Sequence, residues 1–110
     1  MNLLKSYRSI RAVAARYAIS LWTARTASDA NQWISVCWSP ELGLFCAISY
    51  DGTNQVMTSP DGITWTARTA SEANYWRSVC WSPELGLFCA VSYDGTNRVM
   101  TSRKMSQLLG

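Results

Sequence analysis

Short apolar runs, each closed by a turn signal, organise this chain from Trp33 onward. Trp33–Ser39 (WISVCWS) carries the aromatic and β-branched residues of a strand. Pro40, Glu41, Leu42 and Gly43 supply a turn, and Leu44–Ser49 (LFCAIS) returns. The following YDGTN contains Asp51-Gly52, a hairpin signal, because glycine adopts positive φ without steric cost. Residues 55–58 (QVMT) predict a third strand, Ser59 to Gly62 (SPDG) another turn, and residues 63–68 (ITWTAR) a fourth strand. Four strands joined by tight turns make an antiparallel meander. Apolar residues fall on both faces, with Val36 and Trp38 on one and Cys37 and Ile48 on the other. A sheet of that kind needs cover on both sides.

The pattern then repeats. Trp22, Trp33, Cys37, Trp38 and Cys46 return 43 positions later as Trp65, Trp76, Cys80, Trp81 and Cys89. Between 22–59 and 65–102 only five positions differ: Asp29/Glu72, Gln32/Tyr75, Ile34/Arg77, Ile48/Val91 and Gln55/Arg98. A 43-residue period matches the roughly 40–45 residues of a four-stranded propeller blade. The expected fold is all-β, with two four-stranded antiparallel propeller-type blades over residues 20–102. Residues 20–25 read as a lone fourth-type strand ahead of the first full set, and the last set has three. Two blades cannot close a ring of the usual four to eight. The partners this implies are further copies of the chain, as a homo-oligomer of six or eight blades, or the remaining blades of a larger propeller.

SPDGITW at 59–65 resembles the Asp-box repeat of sialidase-type propellers, Ser-x-Asp-x-Gly-x-Thr-Trp. Ser59, Asp61, Gly62, Thr64 and Trp65 supply its residues, with one position missing between Asp61 and Gly62. The resemblance covers roughly 20–102, although the box is degraded at YAISLW and TSRKMS. It implies a structural role, with Ser59 and Asp61 tying a turn and Trp65 packing between strands.

Charge separates the ends from the middle. Residues 1–28 carry +5, residues 29–98 carry −4, and Arg103 with Lys104 adds +2. The repeat body lacks the basic surface that nucleic acid requires. No apolar run reaches the ~18 residues of a membrane span. Residues 1–19 place Leu3, Tyr7, Ile10, Ala14 and Tyr17 at helical spacing among Lys5, Arg8, Arg11 and Arg16. They predict a basic amphipathic helix, either a transit peptide, a helix packed on the ring, or a segment that replaces lost blade sequence. Charges interrupt any secretory-type apolar core, and the sequence assigns no compartment. Residues 103–110 form a C-terminal tail.

Catalytic chemistry is sparse. There is no histidine, which removes the commonest general base and metal ligand. Cys37 and Cys46 lie nine apart with no CxxC, unlike a zinc site. No glycine-rich phosphate loop occurs, no cofactor is implied, and nothing matches the substrate-arginine pattern of the sialidases. The expectation is a binding module and not an enzyme.

In a meander alternate loops share one edge. That edge collects Asp29, Asn31, Gln32, Tyr50, Asp51 and Asn54 from the first unit, with Glu72, Asn74, Tyr75, Tyr93, Asp94 and Asn97 from the second. Aromatic residues beside amides and carboxylates suit a glycan or a polar protein surface. The competing reading is that the Asx residues only hold their turns. The alternative function is a structural or assembly-factor propeller that scaffolds a larger complex. Two packing expectations complete the picture. Trp38 and Trp81 should be core residues. A turn centred between Glu41 and Leu42 should oppose Cys37 to Cys46, and likewise Cys80 to Cys89, as reduced thiols.

Overall fold

The computed structural model describes residues 21–103. The helix expected over 1–19 and the tail from 104 to 110 lie outside the described residues. The described chain is all-β and forms two antiparallel sheets. The first contains β1 (Trp33–Ser39), β2 (Leu44–Ser49), β3 (Val56–Ser59) and β4 (Thr66–Arg68) in that order. The second contains β5 (Trp76–Ser82), β6 (Leu87–Ser92) and β7 (Val99–Thr101). The meander is therefore as expected, and the second sheet has the three strands read for the last set, with no fourth among the described residues.

Local chemistry explains where strands stop. The fourth strand was expected from residue 63 and begins at Thr66. The N–H groups of Ile63 and Thr64 bond the Asp61 carboxylate at 2.8 and 3.0 Å, so they do not join the ladder. Ser59 Oγ accepts the Gly62 N–H at 2.7 Å and the Trp65 indole donates to the Gly62 carbonyl at 3.2 Å. This is a turn tied by its own side chains. Residues 21–25, expected as a strand, are not one. Residues 22–25 repeat the Trp-Thr-Ala-Arg of residues 65–68, yet a strand exists only where an edge accepts its hydrogen bonds, and none lies beside them among the described residues.

The register follows the turn argument. Cys37 opposes Cys46 and Cys80 opposes Cys89, and all four cysteines are free. One residue bulges between Trp33 and Ser35, and again between Trp76 and Ser78. Beyond the bulge Ser35, Cys37 and their partners Ile48 and Cys46 share one face of the first sheet by strict alternation.

That face packs against the second sheet. The core joins Cys46 and Ile48 to Trp76, Val79, Phe88 and Ala90. Ser35 Oγ accepts the Val79 N–H at 3.3 Å, and the Trp81 indole donates to Glu41 Oε1 at 2.8 Å. The stacking is directional: the Cys37 face of the first sheet meets the Val79 face of the second. Among the described residues their opposite faces leave large apolar side chains uncovered, although Ala47 and Met57 are buried on the first. Val36 is 58% and Trp38 42% exposed on one, and Val91 43% and Val99 56% on the other. Trp38 is therefore not a core residue in a single copy. It packs on Phe45, with ring centroids 4.7 Å apart, and leaves its outer side uncovered. Trp81, in the same place one unit later, is half-buried in the seam. The seam closes on β1, β2 and β5 and opens toward β3 and β7.

Candidate functional site

The loops expected to share an edge do so. In the first unit Asn31 reaches across to the YDGTN hairpin. Its amide donates to the Asn54 carbonyl at 2.7 Å and to Ser49 Oγ at 3.3 Å. Asp51 Oδ1 accepts the Gln32 N–H at 2.7 Å, and Ser49 Oγ donates to the Asp51 carbonyl at 2.7 Å. Gly52 has φ of +89°, and a Cβ there would overlap the Asn31 amide. Glycine is needed at this position both for its backbone and for the space it leaves. The second unit repeats the lock through Asn74, Ser92, Asn97, Asp94 and Tyr75.

Four of the candidate residues thus spend their side chains on architecture. Asn31, Asp51, Asn74 and Asp94 hold loops together, as expected of Asx turn chemistry. Asn54 and Asn97 contribute carbonyls to the same locks. Glu72 accepts the N–H groups of Asn97 at 2.7 Å and Thr96 at 3.2 Å. Asp29 is one methylene shorter, and its Oδ2 is buried without a hydrogen-bond partner. The carbonyls of Asp29 and Glu72 accept the indole N–H of Trp33 and Trp76, at 3.0 and 3.1 Å. These bonds seat each tryptophan at the foot of its sheet.

What remains outward is aromatic. Tyr50, Tyr75 and Tyr93 form a row across the seam. Their centroids are 5.4 Å apart for Tyr50 and Tyr75, and 5.7 Å for the stacked pair Tyr75 and Tyr93. Tyr75 is 44% and Tyr93 61% exposed. The Arg77 guanidinium lies 5.4 Å from the Tyr93 ring centre. This adds a cation at cation–π distance to the end of the row. Gln32, where the second unit has Tyr75, is exposed on the same edge.

Two contributors escaped the sequence reading. Arg77 was visible only as a substitution for Ile34, with no motif around it. Gln55, read only as the first residue of the third strand, is 4% exposed. Its Oε1 accepts the Asn74 N–H at 3.1 Å, which pins the second unit's loop to the first unit. Both residues are places where the units differ, and that was the available signal.

Two of the thiols, Cys37 and Cys46, are ill-suited to chemistry. Burial, then the neighbouring Cys80, pushes the Cys37 thiol up to about 11. Burial, then Cys37, pushes Cys46 up to about 12. A nucleophilic cysteine needs the opposite shift. Among the described residues no group of three His, Cys, Asp or Glu could hold a metal ion, and no helix is long and apolar enough to cross a membrane. Comparison with protein-family models, curated proteins and solved structures finds no match for this chain.

Proposed function

We propose that the chain is a non-enzymatic binding module of propeller-type blades that takes a glycan along the tyrosine row. The observation that carries this is the row itself: Tyr50, Tyr75 and Tyr93 align across two sheets and remain partly open to solvent. Tyrosine offers apolar ring surface and a hydroxyl at low conformational cost, a combination suited to sugar rings. The hydrogen-bonded loops beneath hold the row in place before any ligand arrives, which lowers the entropy lost on binding. Asp51, Asp94, Asn31 and Asn74 then support the site and do not contact ligand. Gln32, Tyr75 and Arg77 set specificity, since they differ from their counterparts in the other unit. The sheets would belong to a ring completed by further copies or further blades.

A glycan array probed with the full chain tests the reading. Binding to a defined set of sugars, lost in Tyr75→Ala and Tyr93→Ala at unchanged melting temperature, is the expected result. Absence of any glycan signal, or equal binding by the variants, overturns it. A second reading, a scaffold within a larger complex, is favoured by the open apolar faces at Val36 and Val91. Copurification of the chain with a fixed set of proteins, undiminished in Tyr75→Ala, would support that reading instead.

A further inference from the structure

Three features of the seam are incomplete in a single copy, and they fit one another. The first is an apolar cleft of about 600 Å³ where the two sheets splay apart, bordered by Cys46, Ile48 and Val56 on one side and Phe88, Ala90 and Met100 on the other. The second is the edge of β7, where the second sheet ends among the described residues. An open edge is a template for another strand. The third is the segment 22–25, whose Trp-Thr-Ala-Arg is identical to 65–68. It pairs with no strand among the described residues, and Trp22 is 82% exposed.

We infer that residues 22–25 of one copy of this chain add to β7 of a second copy as its fourth strand, with Trp22 entering that copy's inter-sheet cleft. The register comes from β3 and β4, where Val56 opposes Arg68, Met57 opposes Ala67 and Thr58 opposes Thr66. Moved by one 43-residue repeat, Val99 opposes Arg25, Met100 opposes Ala24 and Thr101 opposes Thr23. Trp65 lies beside Phe45, with ring centroids 6.1 Å apart. Its counterpart Trp22 therefore meets Phe88, which lines the cleft. Addition of a strand to a free edge is an established mode of recognition, with main-chain bonds giving affinity and a side-chain pocket giving specificity.

The connection shows why the donor is another copy. Residues 69–75 (TASEANY) link β4 of the first sheet to β5 of the second, and residues 26–32 (TASDANQ) are their counterpart ahead of β1. The operation that carries the first sheet onto the second places residues 22–25 in a sheet preceding β1. That position lies on the far side of the first sheet from β7. The same operation covers the open faces. The Val36 and Trp38 face of one copy meets the Val91 and Val99 face of the next, and the Trp38 indole reaches Glu84 as Trp81 reaches Glu41. Such an interface is head-to-tail and closes only as a ring. Two inner contacts are not reproduced. Arg98 stands where Gln55 accepts the Asn74 N–H, and Gln32 stands where Tyr75 meets Tyr50. The seam between copies is thus weaker than the seam within one, so association depends on concentration.

This inference rests on the stacked-sheet reading but not on the tyrosine row, so Tyr75→Ala can lose ligand without changing native mass. The test is light scattering of the full chain from dilute to concentrated solution. The mass should rise from one chain to whole multiples, with a blue shift of tryptophan emission. Ala24→Pro removes a strand N–H in a segment that pairs with no other described residue of the single copy. It and Trp22→Ala should remain single chains with unchanged circular dichroism. Thr23→Cys mixed with Thr101→Cys should cross-link between chains. A wild-type chain that stays single at the highest concentration overturns the inference. So does assembly unaffected by Ala24→Pro, or assembly abolished only by removing residues 104–110.

Discussion

Val36 and Val79 occupy the same place in two units that differ at five of 38 aligned positions, yet Val36 is 58% exposed and Val79 is 7% exposed. On the opposite faces the order reverses: Ile48 is fully buried and Val91 is 43% exposed. Trp76 is fully buried, while Trp33 is only half-buried. Near-identical sequence has produced two environments, because each sheet has two apolar faces and a pair of sheets has one seam. The first unit buries its Cys37 face and the second its Val79 face. Burial at a given position is here a property of the neighbour, not of the residue.

The contrast can be broken most sharply at the tryptophans. In dilute solution Trp76→Ala should cost about 3–5 kcal/mol. Trp33→Ala should cost clearly less, although both indoles make the same hydrogen bond. Urea denaturation measures both, and equal losses would mean that the seam does not set the burial.

Ile48→Ala should cost about 2–5 kcal/mol, because it opens a cavity in the seam. Val91→Ala, on the open face, should stay within about 0.5 kcal/mol in the single copy. Concentration sharpens this pair. If copies stack, Val91→Ala becomes costly when the chain is concentrated and Ile48→Ala keeps its value.

Gln55 and Arg98 form the next contrast. Gln55→Ala leaves the buried Asn74 N–H without its acceptor and should cost about 1–3 kcal/mol. Arg98 is exposed, and Arg98→Ala should change the thermal midpoint hardly at all. A loop-directed fluorescence probe near Tyr75 should report loosening in the first variant only.

The smallest effects are protonic. The backbone N–H groups of Thr64 and Ile63, and then Ser59, hold the Asp61 carboxyl below its ordinary 3.8. A lowered carboxylate value stabilises the fold above the unfolded value, and that contribution is lost as pH falls through the folded one. The turn at 59–65 should therefore loosen in acid. The second unit has Lys104 at the equivalent position and lacks this dependence. The thiols act at the other end. With Cys37 raised to about 11 and Cys46 to about 12 from 9.0, their stabilisation is present below pH 9.0 and fades as pH rises toward those values. Alkylation at neutral pH, read by peptide mass, should label exposed Cys80 first and Cys46 last.

Much of this architecture was readable in the amino-acid sequence. The 43-residue period, the meander and the opposition of Cys37 to Cys46 all follow from local patterns. Turn chemistry is short-range, and side chains alternate strictly along a strand. The loop edge was readable for the same reason: once the meander is given, Asn31 and Asp51 must lie close. Which candidates remain outward was not readable. Asn31, Asp51, Asn74 and Asp94 turned onto backbone groups across the edge that the strand ladders leave unpaired, and only the folded loops show which ones. The pairing of Gln55 with Asn74, the line of Tyr50, Tyr75 and Tyr93, and the exposure of Trp38 were settled when one sheet stacked on the other. Identical residues face a partner in one unit and solvent in the other, and a sequence that repeats itself cannot encode that difference at the repeated positions.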